Sequence, residues 1–166
     1  MATPTNLPAS FSSGAVLTAA QQNALRGAFR ILQVVSGKTT TPTSSSTATY
    51  VDTTLTATIT PQSSSSKVLV IVTHNGSHKS NANAFTAMNL QLLRGATVIQ
   101  VIGAGLGYTG NAEESSFCAS TICLDTPATT SATTYKTQLN SPFAQPTATV
   151  QRSNLESTII LMEVSA

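Results

Sequence analysis

The only two imidazoles of the 166-residue chain, His74 and His78, stand in the run His-Asn-Gly-Ser-His. On a helix, two histidines four apart share a face and make a metal pair. Here Asn75-Gly76 is a turn signal, so the run is expected to be a polar loop between strands. A metal would then need one histidine from each of three symmetry-related copies, and no metal site within one chain is expected. Gly105-Leu-Gly-Tyr-Thr-Gly110 matches the spacing of a dinucleotide fingerprint. Pyrophosphate binding needs a helix N-terminus after such a run, whereas Asn111 to Ser116 leads into another strand-like segment, so no cofactor is expected. Glu113 and Glu114 are adjacent, and neighbouring carboxylates do not converge on one glycosidic bond. Asp52, Asp125, Glu156 and Glu163 have no local partner, and no Gly-x-Ser-x-Gly elbow accompanies the many serines. No catalytic residue is assigned, and the chain is not expected to be an enzyme.

What remains are loops that face a ligand. The candidates are Asn75 to Ala84 and Gly103 to Ser115, with His74, Asn75, His78, Tyr108 and Asn111 as the residues to watch. Tyr108 and Phe85 are the rings available for stacking on a sugar, although aromatic residues make up only 5% of the chain and Trp is absent. Asn75-Gly76-Ser77 has the form of a glycosylation sequon but reads as turn chemistry.

Composition narrows the class of partner. Charged residues make up 8% of the chain, against roughly a quarter in an ordinary soluble protein. Ser and Thr account for about 30%. An uncharged, hydroxyl-rich surface gives little self-repulsion, which favours contact between like chains. The formal net charge of +2 comes from scattered lysines and arginines, with no basic run to follow a phosphate backbone, so nucleic acid is not an expected partner. Apolar runs such as Val68 to Val72 and Ile159 to Met162 are too short to span a bilayer, and no signal-like leader is read. Cys118 and Cys123 differ in strand parity, so they point to opposite faces and form no bridge.

These side chains must be carried by strands. Residues 1–37 read as an irregular arm and one short helix over about Ala19 to Ala28. Thr18 and Gln21 cap that helix, and Leu25, Phe29 and Leu32 form one apolar stripe. Leu17, Leu25 and Phe29 are the candidate attachment residues. Residues 38–49, nearly all Ser, Thr and Pro, read as a linker. The remainder, 50–166, alternates as a half-buried sheet does. Val51 to Ile59 forms a hairpin with Lys67 to Thr73, a central strand buried on both faces and ended by His74-Asn75-Gly76. Met88 to Leu92 turns at Arg94-Gly95 into Ala96 to Ile102. Phe117 to Leu124, Thr133 to Leu139, Ala148 to Arg152 and Thr158 to Val164 complete about eight strands. The fold expected is an all-β, jelly-roll-like sandwich.

Ser-Gly-Ala-Val-Leu-Thr-Ala-Ala-Gln-Gln-Asn-Ala-Leu at Ser13 to Leu25 resembles the N-terminal attachment segment of tailed-bacteriophage fibre and virion proteins. Tyr50-Val-Asp-Thr53 through Ile59-Thr-Pro61, with Ser64 to Val70, is similar to the first hairpin of their small β-domains. Ser153-Asn-Leu155 leading to Ile159 through Glu163 looks like their closing strand. The resemblance implies a trimeric structural protein of the virion, a short tail fibre or a capsid decoration, attached to other virion proteins. A host surface glycan is the possible further ligand.

Overall fold

A computed structural model describes Gly14, Val16, Thr18, Ala19 and residues 31–81, 83–143 and 147–165. The expected helix, apart from Ala19, and the residues Leu17, Leu25 and Phe29 lie outside the described residues. Ten strands follow in chain order: β1 (Ile31–Thr39), β2 (Thr43–Ser45), β3 (Val51–Ile59), β4 (Lys67–Lys79), β5 (Met88–Arg94), β6 (Thr97–Leu106), β7 (Ser115–Asp125), β8 (Thr133–Asn140), β9 (Ala148–Val150) and β10 (Ser157–Val164).

The long strands pair in a nested series, all antiparallel. β1 pairs with β10, β3 with β8, β4 with β7 and β5 with β6. Nested pairs amount to one long hairpin whose tip is the two-residue turn at Gly95. Rolling it brings β10 beside β4 and β8 beside β5. Two sheets result, β1-β10-β4-β7 and β3-β8-β5-β6, with the short β9 and β2 extending the first. This is the strand order of a jelly roll, and the all-β sandwich read from the sequence is the fold observed.

Three local expectations change. The stretch over 38–49 is no separate spacer, because residues 31–39 and 43–45 are strands of the same sandwich. Its polar groups bond within the fold: the Thr39 hydroxyl to that of Thr54 at 2.8 Å, the Thr41 carbonyl accepting from the Thr54 hydroxyl at 3.1 Å, and the Ser44 hydroxyl to that of Thr149 at 2.9 Å. β-Branched threonine suits a strand, and these contacts supply what a polar sequence lacks in apolar burial. β3 and β4 form no hairpin but lie in opposite sheets, since the segment between them crosses from one layer to the other. Finally, β4 does not stop at His74-Asn75-Gly76. It runs on to Lys79 through an irregularity in its pairing with β7, between His74 and Ser77. Gly76 takes φ 63° there, and a Cβ would stand 2.7 Å from the Arg152 backbone, so only glycine lets the two chains approach.

Between the sheets lie two apolar clusters. One contains Leu55, Ile59, Val70, Val72, Leu92, Tyr135, Ile159 and Leu161, and the other contains Met88, Leu90, Leu139, Ala148 and Val150. On β8, Thr137 falls between Tyr135 of the first cluster and Leu139 of the second. A buried polar layer therefore crosses the sandwich at that level.

Candidate functional site

His74 sits in that polar layer, fully buried, and not in a ligand-facing loop as the sequence suggested. The Gln151 amide nitrogen donates to His74 Nδ1 at 2.9 Å, which makes Nε2 the protonated nitrogen, facing Thr137 Oγ1 at 3.0 Å. Thr137 Oγ1 lies 2.6 Å from Thr53 Oγ1, and Gln151 Nε2 also donates to Ser157 Oγ at 2.8 Å. Burial drives the His74 pKa down to about 4, so the ring is neutral at pH 7. His74, Thr137, Gln151 and Ser157 are all closed to solvent, so this base and these hydroxyls hold the two sheets in register and meet no substrate. Asn75 sits in the same seam: its N–H donates to Ser157 Oγ at 3.0 Å and its side chain to the Glu156 carbonyl at 2.7 Å.

His78, Tyr108 and Asn111 come together at one end of the sandwich, apart from His74 and Asn75. Beneath this end the fully buried Lys79 donates through Nζ to Thr109 Oγ1 at 2.5 Å and to the Asn111 carbonyl at 3.0 Å, tying the 107–114 loop to the end of β4. The Glu114 carboxylate lies 3.6 Å from His78 Nε2 and 3.4 Å from Arg152. Burial holds the His78 pKa below its ordinary value, with Arg152 adding to the effect and Glu114 opposing it. The Arg152 hydrogen bond holds Glu114 below the usual carboxylate range. Both histidines are buried, which takes them away from any symmetry axis where copies could share a metal. Among the described residues no three or more His, Cys, Asp and Glu side chains gather as metal ligands.

Tyr108 projects from the loop end, 49% exposed, and its ring centre lies 6.2 Å from that of Phe143. Phe85 also meets Phe143, edge to face, with the ring centres 6.1 Å apart. Gly107 sets the turn, with φ 73° and a missing Cβ that would stand 2.5 Å from the Phe117 ring. Three loops thus bring three rings together at the surface.

The second surface is the outward face of the first sheet. Register places Val34, Met162, Leu69 and Leu124 side by side across β1, β10, β4 and β7. The next row reads Ser36, Ile160, Ile71 and Ile122. Val34, Ile122 and Leu124 are 56%, 67% and 55% exposed. The central residues of β4 and β10 are half-buried, so β4 is central but not buried on both faces as expected. With strands about 4.8 Å apart and same-face residues about 6.8 Å apart, the seven apolar residues of these rows cover roughly 230 Å². That is somewhat less than the roughly 300 Å² at which the largest patches of typical monomers begin, but it is continuous across four strands. Lys38, Thr158, Thr73 and Ser120 form the polar row beyond it. Cys118 lies on this outward side and Cys123 on the inward side, both free thiols, as their parity predicted.

No protein-family model and no curated protein matches this chain, so its function is argued from these two surfaces. Sequence reading missed Phe143, Lys79 and the apolar rows. The rows had a signal: three strands, Val68 to Val72, Ile122 to Leu124 and Ile159 to Met162, are apolar at consecutive positions, which means an apolar residue on each face. Phe143 had none, since its neighbours Phe85 and Tyr108 are remote in sequence.

Proposed function

We infer that the protein is a non-enzymatic structural component of a virion, a tail fibre or similar surface appendage. Three copies assemble through the outward face of the first sheet. The observation that carries this reading is the uncharged apolar field across β1, β10, β4 and β7, edged by hydroxyl groups. An apolar centre with a polar rim is the anatomy of a protein interface. A stable two-body contact takes about 800 Å² from each partner, so these rows are its centre, and the polar rim, Lys38 among its hydroxyls, supplies the rest. A second copy is the occupant because the apolar rows themselves carry no charge and do not repel their own kind. The threefold number and the virion come from the resemblance of the sequence to phage fibre modules. The same resemblance makes the N-terminal segment, with Leu17, Leu25 and Phe29, the attachment to other virion proteins. Among the described residues no helix is long and apolar enough to cross a membrane.

Light scattering on the full chain tests this reading. The expected mass is about three times the 17.1 kDa of one chain, falling to one chain mass in Ile122→Asp. The Ile122 side chain is largely exposed, so the charge spares the fold of a single subunit. A wild-type monomer at every concentration removes the fibre reading and leaves capsid decoration, with the face held against a host lattice.

A further inference from the structure

The exposed rings at the loop end have no place in the assembly reading, and they are far from the apolar face of the first sheet. We propose that Phe85, Tyr108 and Phe143 form a binding site for a neutral carbohydrate, a pyranose laid over the ring faces. The rings are 61%, 49% and 49% exposed, although they come from three separate loops and Phe143 packs against both of the others. Their scaffold is fixed from below, because the buried Lys79 holds Thr109 and Asn111 and the Gly107 turn packs on Phe117.

Size, geometry and charge select the ligand. Aromatic side chains present about 200 Å² each, so three half-exposed rings offer on the order of 300 Å². That falls well short of the roughly 800 Å² a protein partner needs, and it suits one or two sugar rings. A quaternary ammonium ion needs aromatic walls around a gap, whereas these rings pack directly against each other at 6.1 and 6.2 Å. Among the described residues an anion finds no available cation here: Lys79 is buried on its two oxygen partners, and Arg152 is paired with Glu114. The loop that carries Tyr108 also presents the exposed polar groups of Thr109 and Asn111, with the carboxylates of Glu113 and Glu114 farther along it. A pyranose combines an apolar C–H face for the rings with an edge of hydroxyls for such polar groups.

The test uses the full-length protein and three probes: methyl α-D-glucopyranoside, methyl β-D-galactopyranoside and N-acetylglucosamine. Saturation-transfer NMR is expected to mark the C–H protons on one face of at least one probe, with a dissociation constant that is roughly millimolar. The Tyr108 ring resonances shift with it. Phe143→Ala, and separately Phe85→Ala, weaken that binding by about two- to ten-fold, the contribution of one aromatic contact. Both side chains are at the surface, and unchanged signals from the core ring of Tyr135 confirm that each variant is folded. The proposal is overturned if none of the three probes at on the order of 100 mM receives saturation, or if binding is the same in both variants as in the wild type. Its outcome is independent of the number of copies in the assembly.

Discussion

The two outward faces of the sandwich are built from the same small alphabet and end with opposite characters. On the second sheet, β3 alternates strictly, so Asp52, Thr54, Thr56 and Thr58 all face water. Each has a use there. Asp52 accepts from Lys136 and Gln138, both at 2.7 Å, while Thr58 meets Thr134 at 2.8 Å and Thr56 donates to the Tyr135 carbonyl at 3.0 Å. That half of the face, β3 and β8, is finished as a solvated surface. On the first sheet the rows Val34-Met162-Leu69-Leu124 and Ile160-Ile71-Ile122 offer water no hydrogen bond at all. Sheets with one face in solvent normally alternate, and covered sheets do not. By that rule the β3–β8 half of the second sheet is patterned for water and the first sheet for a partner, while the β5–β6 edge of the second sheet carries the exposed Val98 and Val101.

The sharpest way to break this contrast is to place the same charge on each face. Ile71→Asp combined with Ile122→Asp puts two carboxylates in the middle of the apolar rows. Each would be desolvated on association, so the association constant is expected to fall by at least about 100-fold. Thr58→Asp, on the outward side of β3, leaves the association constant within about two-fold. Sedimentation equilibrium on both variants gives the answer. Equal losses from the two faces would mean that assembly does not distinguish them.

How much of this was legible beforehand follows from the same contrast. Strict alternation identified β3 from Val51 to Ile59 to the residue, because the water-facing positions are all polar and the core positions, Thr53 apart, are apolar. Gly95 after Arg94 fixed the β5–β6 hairpin, a local event between neighbouring strands. Pairing between distant strands left no such trace. Nothing in Val51 to Ile59 says that its partner is β8 and not the following β4. β1 was hidden because Leu25, Phe29 and Leu32 also fit a helical stripe, and the pairing of Val34 and Val35 with β10 decides for a strand. His74 misled because Asn-Gly after it is ordinary turn chemistry, while the partners that bury it, Thr137 and Gln151, lie 63 and 77 residues away.

Between the faces lies a group whose effect on stability is set by pH. The His74 pKa falls from 6.5 to about 4 on folding, because burial disfavours the charged ring. Between those values the unfolded chain binds a proton that the folded chain does not. Stability is therefore complete above pH 6.5 and declines as the pH falls toward 4, with a total loss on the order of 3 kcal/mol. Urea titrations at pH 7.5 and pH 4.5 are expected to show a lower midpoint at the acid pH, with most of the difference absent in His74→Gln. A midpoint difference that survives in the variant would assign the acid sensitivity to carboxylates instead.

The smallest effect belongs to the finished face. The Lys136–Asp52 pair is 2.7 Å long, yet the two side chains are 27% and 51% exposed, so water and salt screen it. Lys136, followed by Gln138, holds the Asp52 carboxyl below its ordinary range. A carboxylate with a depressed pKa contributes above its unfolded value and loses that contribution as the pH falls through the folded one. At neutral pH Asp52→Asn is therefore expected to cost only about 0.5 kcal/mol, and added salt should reduce the difference further. Asn keeps an acceptor for Gln138, so the fold and the assembly mass remain unchanged. Thermal melts of the two proteins at low and high salt measure the difference. A loss of several kcal/mol would mean that this face, too, is shielded from water in the assembled protein, and the contrast between the two sheets would have to be abandoned.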